Sequence, residues 1–547
     1  MTAGQVVPIQ PERDTGRLDN ASPLRIWSIV AIAVLFAEIA PMQYSMVAAA
    51  VPKIAPSFPS VGANISWMIT IFGIVGAVST PMFGKMSDLW GKKMLLTASG
   101  VVFILGSALC AITANWGLML LGRGLQACAL GAATVTYGLF RDILPRRRIP
   151  IAVGMVATGI GLSAIAAPLL GGWLLDNYGW RSIFWFQTCY TVVMLAILLI
   201  VVPESKLRVR QRLDLAGAAA LGAGLTCVLL YISEGGSWGW TSGTALAFLI
   251  AGVLLLAAVV PIELRVAQPI IDVRLLLAPK VSMTLAAAFC AVFVISVAAY
   301  ALPYLAETPT EAQLTALTQA AAVKHGLPAS ALPALHISFP SGSLAFAGGL
   351  TLLAVAWQVS SFQGLAAMLS GPAGGGLARR VGGRRPLIIG LAVLVVAAIL
   401  MIVLPLRGLW GLAVIAALVG IGTGFYFAAA PNLIIEAAPP QQQGITTGMW
   451  SVLGAMASGV ATAVLTALFV ANPVRIQTSL PGRPAQVTTL DQLNAWPGYL
   501  DAFYLSVGVA VLGLIITLLM KHGRTPSTGG VASETEATSE TSDVVVA

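Results

Sequence analysis

GKMSDLWGKK, residues 84 to 93, is a short polar strip wedged between two long apolar runs. Gly84, Asp88 and Gly91 are spaced so that a helix can end, the chain can turn tightly, and a carboxylate can sit beside the cationic pair Lys92 and Lys93. The flanking runs put that carboxylate at a membrane surface. Of the 547 residues, 58% are hydrophobic and 9% charged, a composition too apolar for a water-soluble chain and a length too great for a single anchor. About 20 apolar residues span a bilayer as a helix. Fourteen such runs occur, at 26–50, 62–83, 93–113, 116–139, 150–174, 181–202, 214–234, 243–264, 281–305, 344–370, 386–406, 410–435, 444–470 and 499–520. The expected fold is therefore an all-α polytopic membrane protein with 14 transmembrane helices.

Orientation follows from the Lys and Arg in alternate connections. With the N-terminus inside, twenty-three fall in inner segments and six in outer ones, while Arg123 lies within the fourth run. This predicts both termini in the cytoplasm. It also accounts for the net charge of +9 without a nucleic-acid partner, and suits attraction to anionic lipid of the inner leaflet. Residues 1–25 and the Ser/Thr/Glu-rich 521–547 read as disordered tails. VAAA at 47–50 has the small residues of a signal-peptidase site, but the run before it is too long for a signal peptide, so a retained first helix is expected. Cys110, Cys128, Cys189, Cys227 and Cys290 lie singly in apolar runs without metal-ligand spacing and read as packing residues. GIGTG at 420–424 sits inside an apolar run with no strand before it, which makes it helix packing and not a nucleotide site. No cofactor and no metal is expected.

The first run carries Glu38 close to its middle. A charged carboxylate facing lipid is costly there, so Glu38 faces a polar cavity, holds a proton, or is locked in a structural ion pair. Met42 and Ser45 share its helical face, whereas Gln43 points elsewhere. In the fourth run Arg123, Gln126, Leu130, Tyr137 and Arg141 recur at helical spacing, giving one face polar groups that lipid would not accept. Arg123 needs a carboxylate or polar partner, and Glu38 is the nearest candidate by depth. The fifth run holds Ser163, Ala167, Pro168, Gly171 and Gly172. Small residues four apart let helices approach closely, and a mid-helix proline bends the helix by removing a backbone bond.

The strip at 84–93 resembles the loop between helices 2 and 3 of the major facilitator superfamily, whose pattern is Gly, three residues, Asp, two residues, Gly, then two basic residues. That resemblance implies a cytoplasmic latch made of Gly84, Asp88, Gly91, Lys92 and Lys93. In it Asp88 would be held by cations such as Arg141 and by the positive end of a helix from the other half. The fourth run is similar to the superfamily's pattern of Arg, two residues, Gln, Gly, with Ala127 in place of the Gly, which implies a role in proton coupling for Arg123 and Gln126. The fifth run resembles the pattern Gly, three residues, Gly-Pro, two residues, Gly-Gly of the drug:H+ antiporters, with Ser163 and Ala167 replacing the first two glycines. The superfamily's first helix usually carries an Asp before a Val-Ala-x-Pro-like ending. Aligning AAAVPKI to that ending puts Gln43 at the Asp position, so Glu38, more than a turn earlier, is the remaining charge.

Six, two and six runs resemble the fourteen-helix drug:H+ antiporter branch, over residues 26 to 520. The resemblance implies two pseudo-symmetric six-helix bundles at 26–205 and 269–520 around a two-helix insertion at 206–268. A weak second copy of the latch, GGLARRVGGR at 375–384, has Arg379 where the Asp would be. The connections at 306–343 and 471–498 are long and lie outside by the charge count. Within the first, 310–324 reads as a short surface helix with Leu314 and Leu317 on one side, and the Pro-rich remainder reads as loop. It is either a partial lid or an incidental insertion, the insertion being preferred. In the second half, Gln358, Ser361 and Phe362 fall on one face of the tenth run and Thr446 and Trp450 on one face of the thirteenth. Such uncharged amide and aromatic groups suit a broad amphipathic ligand or plain helix packing. With Met42, Ser45 and Tyr137 they are the candidate substrate cavity.

The resemblance implies an exporter of small lipophilic or cationic compounds in a bacterial inner membrane, driven by protons through alternating access, with Glu38, Arg123 and Gln126 in proton coupling. No nucleotide-binding loop is present, so the energy would come from a gradient. A proton symporter importing a small metabolite and a membrane sensor or scaffold remain as alternatives. An embedded enzyme is not expected. The expected partners are a small-molecule substrate, protons and membrane lipids, acting on a monomer.

Overall fold

Pro41 divides the first apolar run. It has no amide to bond the Ala37 carbonyl and its ring crowds that carbonyl. The helix accordingly breaks at Glu38, between α1 (Pro23–Ala37) and α2 (Ile39–Ile54). The structure is a computed structural model that describes residues 17–58, 61, 65, 67–206, 215–265, 273–324, 328–339, 344, 348–438, 443–480 and 484–527. Beyond α2 come α3 (Trp67–Trp90), α4 (Lys92–Ile112) and α5 (Trp116–Ala127), the last joined through a single 3-10 turn to α6 (Gly131–Ile143). The chain continues through α7 (Ile149–Tyr178), α8 (Arg181–Val201), α9 (Leu215–Trp238), α10 (Gly243–Arg265), the short α11 (Val273–Leu277), α12 (Pro279–Glu307) and α13 (Glu311–Lys324). Strand β1 (His336–Ser338) precedes α14 (Leu352–Val355), which runs through a π-helical stretch at Ala356–Ser360 into α15 (Ser361–Val381). The remainder is α16 (Arg384–Val403), α17 (Leu409–Glu436), α18 (Gln443–Ala471), β2 (Pro473–Ser479), β3 (Gln486–Asn494) and α19 (Trp496–Leu519).

Among the described residues, eleven helical segments are long and apolar enough to cross a bilayer, or twelve when α3, bent by 43° at Pro81, counts as one span. The difference from the fourteen runs lies in α9, whose apolar part is the shorter Ala219–Ile232, and in α15, which is rich in glycine and ends on two arginines. The tenth run is also displaced: its helix begins at Leu352 and extends to Val381.

Three further expectations change. The strip at 84–93 is not a loop, because Gly84 to Trp90 are the last turns of α3 and only Gly91, at φ 112°, separates them from α4. Residues 375–381 are likewise helical, with the turn at Gly382. The described parts of the tails are ordered by contacts with the bundle. Leu18 N donates to Ile143 O at 2.9 Å, Arg384 N donates to Gly523 O at 3.0 Å, and Ser527 N donates to Ala378 O at 3.1 Å. Residues 1–16 and 528–547 lie outside the described residues.

The fold is also not purely helical. β1-β2-β3 form an antiparallel sheet that joins the two long connections, with Ile337 opposite Thr478 and Arg475 opposite Thr489. In β2, Val474 and Ile476 are buried while Arg475 and Gln477 are exposed, the alternation of a strand with one covered face. α13 starts on a capping box, in which Thr310 Oγ1 accepts from Gln313 N at 3.3 Å and Gln313 Oε1 accepts from Thr310 N at 2.9 Å. Its Leu314 is buried but Leu317 is 61% exposed, so the two do not share an environment.

The buried apolar core runs through helices of both halves of the chain, and α7 packs closely against α15. A Cβ on Gly154 would collide with the Gly371 carbonyl, and one on Gly161 with the Gly364 carbonyl. The glycines thus let two backbones touch, bringing helices from either half of the chain together. α9 and α10 pack as a pair, with α9 against α3 and α18.

Candidate functional site

Glu38 occupies the break between α1 and α2 and is 3% exposed. Its Oε2 accepts a hydrogen bond from Ser163 Oγ of α7 at 2.9 Å. A Cβ on Gly159 would lie 2.7 Å from Glu38 Oε1, so the bare glycine makes room for the carboxyl group. Among the described residues no cationic side chain forms an ion pair with it. Arg123 is therefore not its partner, against the expectation from depth. Glu38 turns toward α7, whereas Arg123 shares its partner Gln126 with Gln43, five residues on from Glu38 and about 140° farther round an ideal helix.

Arg123 is 0% exposed. Its Nε donates to Met68 O of α3 at 2.8 Å, its Nη1 donates to Gln126 Oε1 at 2.9 Å, and its guanidinium lies 4.7 Å over the Phe72 ring. The same Gln126 oxygen accepts from Gln43 Nε2 of α2 at 2.7 Å, and Gln126 Nε2 donates to Ser107 Oγ of α4 at 2.7 Å. The helical spacing of Arg123 and Gln126 did place them together. What spacing could not supply was Gln43, Ser107 and Phe72, which come from three other helices.

At the end of α3 the structure assigns the central place to Asp142, which is 0% exposed. It pairs with Lys92 at 2.8 Å and with Arg141 Nη2 at 2.8 Å, and accepts from Ser205 Oγ at 2.7 Å. Asp88 is paired with Lys92 at 2.9 Å, one turn away, while Arg141 is engaged by its chain neighbour. A Cβ on Gly138 would lie 2.8 Å from Lys92 Cε, so this glycine admits the buried lysine. Gly91 has a separate reason: with φ at 112°, a Cβ there would lie 2.9 Å from Glu204 Oε2. That carboxylate accepts from the Lys93 and Met94 amides at 3.0 and 3.1 Å, capping α4, and Lys93 Nζ donates to Leu199 O at 2.8 Å. Described second-half residues lining the cleft beside Asp88 are Ile435 of α17 and Thr447 of α18, not residues of the eleventh run. Asp142, Glu204 and Ser205 were missed; the Arg-Asp pair at 141–142 was the available signal.

The fifth-run residues have distinct surroundings. Ser163 binds Glu38; Ala167 is buried in an apolar cluster with Met42 and Met46; a Cβ on Gly171 would lie 3.2 Å from Met46 Cγ; Gly172 faces open space. Pro168 lies inside α7. The close approach to the other half belongs instead to Gly154 and Gly161.

The candidate cavity residues are dispersed. Ser45 Oγ bonds back to Pro41 O at 3.2 Å. Gln358 and Phe362 are exposed while Ser361 is buried and bonds the Trp357 carbonyl, so these three do not share one face. Thr446 is buried. Tyr137 does meet the second half: its ring lies edge-on to Trp450 at 5.7 Å, and Trp450 Nε1 donates to Tyr426 OH at 2.8 Å. Two further bonds join the halves. The Thr134 and Ser451 hydroxyls are 2.8 Å apart near the latch, and the Tyr44 and Tyr300 hydroxyls are 2.7 Å apart on α2 and α12.

A many-spanning helical chain whose halves meet on bare glycine backbone, with ionisable side chains buried at membrane depth, has the frame of a membrane transporter. The sequence profile described as Major Facilitator Superfamily matches residues 34–323 and again 284–545, and the chain belongs to that superfamily of transporters. A "probable actinorhodin transporter" of Streptomyces coelicolor is 26% identical over 458 residues, covering 79% of this chain and 72% of that one. An MFS-type transporter of Mycobacterium tuberculosis, described as uncharacterized, is 30% identical over 234 residues. That match covers 41% of this chain and 34% of the relative, so the chain spans about a third of that relative's length. The "MFS-type efflux pump MMF1" of Mycosarcoma maydis is 27% identical over 46% of this chain and 43% of its own. Among solved structures, the proton:xylose symporter XylE shares the fold with a TM-score of 0.58 at 12% identity, over 93% of this chain and 98% of that one.

Proposed function

We propose that this transporter is a proton-coupled exporter of small lipophilic or cationic compounds. In this reading fourteen helices cross a bacterial inner membrane, with bundles at 26–205 and 269–520, an insertion at 206–268 and both termini cytoplasmic. The bundles expose a site between them to one side at a time. The observation that carries the reading is Glu38, a buried carboxyl without a cationic partner among the described residues, set at a helix break and hydrogen-bonded to Ser163 of α7. A carboxyl that takes and gives a proton there changes by one unit the charge buried against α7, the helix whose other face meets α15. Outward flux is supported by the efflux pump and the actinorhodin transporter among the relatives. The cluster of Asp88, Lys92, Arg141 and Asp142 acts as the latch that is made and broken in the cycle.

The test is reconstitution into liposomes with an imposed pH gradient. Ethidium, a lipophilic cation, should accumulate against its gradient only while the proton gradient stands. Ethidium entering the lumen should carry protons out, so its uptake should alkalinise an acid lumen. Accumulation that persists after a protonophore collapses the gradient would sink the proposal.

A further inference from the structure

Arg123 brings a buried positive charge with no carboxylate among the described residues to balance it. Among the described residues its Nη2 has no hydrogen-bond partner, and neither has Gln43 Oε1. The two side chains converge on the single Gln126 oxygen, so an orphaned donor and an orphaned acceptor share one small region. Buried groups of this kind are costly unless something pairs with them. The surroundings are aromatic. Phe72 lies under the guanidinium, Tyr44 lies 5.9 Å from Phe72, and the Tyr44 hydroxyl bonds Tyr300 across the boundary between the halves.

We infer that Arg123 and Gln43 form a subsite for the acid group of a lipophilic organic acid, reached when Tyr44 parts from Tyr300. A carboxylate oxygen accepts from Arg123 Nη2 and balances its charge, a hydroxyl beside the carboxylate, where the ligand carries one, donates to Gln43 Oε1, and the apolar body of the ligand lies against Phe72 and Tyr44. A carboxamide accepts from Arg123 Nη2 and donates to Gln43 Oε1 but leaves the charge unbalanced, which separates charge recognition from hydrogen bonding. As a transport subsite it rests on the exporter reading, and it adds acids to the compounds carried.

The test uses the full-length protein in nanodiscs, titrated calorimetrically in sodium gluconate with 2-naphthoate, 2-naphthamide and 2-naphthylmethylammonium. Naphthoate should bind at least about tenfold more tightly than either analogue. Gln43→Asp supplies an internal counter-ion for Arg123, so it should weaken naphthoate about tenfold without lowering the melting temperature. Equal affinity for naphthoate and naphthamide overturns the inference. So does unaltered naphthoate binding in Gln43→Asp, as does no binding at all, which would leave internal water as the partner of both atoms. Competition by chloride at the same concentration as naphthoate would show a small-anion site instead. Proton-driven ethidium flux measured in the same preparation separates the two readings. Flux without naphthoate binding removes the subsite alone, and naphthoate binding without flux removes the exporter reading alone.

Discussion

Lys92 is buried between two carboxylates of unequal standing. Asp142 also holds Arg141 and Ser205 and has no exposure, whereas Asp88 retains 15% of its side-chain surface and is ion-paired with Lys92. Asp142→Asn removes the buried carboxylate that Lys92 and Arg141 share, a loss of about 3–5 kcal/mol for a broken buried pair. Asp88→Asn leaves Lys92 with Asp142, and the loss should be about 1 kcal/mol or less. Thermal melting should therefore fall sharply for the first variant and little for the second, while Asp88→Asn reduces transport; an Asp142→Asn protein as stable as the wild type would refute the ranking. Glu38→Gln keeps an oxygen to accept from Ser163, so the fold should survive while proton-driven accumulation is abolished. Glu38→Asp retains the ionisable group on a shorter stem and should keep part of the activity with an altered pH dependence. The check is substrate-induced proton release in detergent, which must be missing from Glu38→Gln.

At the scale of elements, the seam between α7 and α15 is built from glycine, and side-chain volume there separates backbones instead of displacing flexible atoms. Gly371→Leu should cost about 1–3 kcal/mol from overpacking and lower flux. Gly172→Leu, in the fifth-run pattern but facing open space, should change stability by about 0.5 kcal/mol or less. Reversed sensitivities in melting and flux would return the packing role to the Pro-x-x-Gly-Gly segment. The sheet makes a second prediction at this scale. Ile337→Cys combined with Thr478→Cys puts thiols opposite each other in register, so mild oxidation should link the two long connections, detected as a shift in electrophoretic mobility after proteolysis between them.

For the whole molecule, alternation requires that contacts between the halves break at one end while they hold at the other. Tyr44 with Tyr300 and Thr134 with Ser451 are such contacts, on different helix pairs. Paired cysteines at either couple, Tyr44→Cys with Tyr300→Cys or Thr134→Cys with Ser451→Cys, should arrest flux when oxidised and recover it on reduction. Wild-type flux through either oxidised pair would mean that the halves do not part there.

What the sequence determined by itself was local in origin. The length of apolar runs gives a many-spanning helical protein, because a helix satisfies its own backbone in lipid. A glycine three residues after Asp88 gives the α3–α4 turn, and two polar groups at helical spacing give the pairing of Arg123 with Gln126. Other features depended on which helices become neighbours and at what rotation. Pro41 reset the first helix at Glu38, so the carboxyl met Ser163 of α7 while Gln43 bonded the Gln126 oxygen that Arg123 also bonds. Asp142 became the hub because α4 and the residues after α8 close over it, bringing Lys92 and Ser205 from distant points in the chain. β1 paired with β2 across more than a hundred intervening residues because both connections emerge on the same side of the bundle. Only the packed bundle decides such partners, since burial leaves each polar group free to bond only what the neighbouring helix presents.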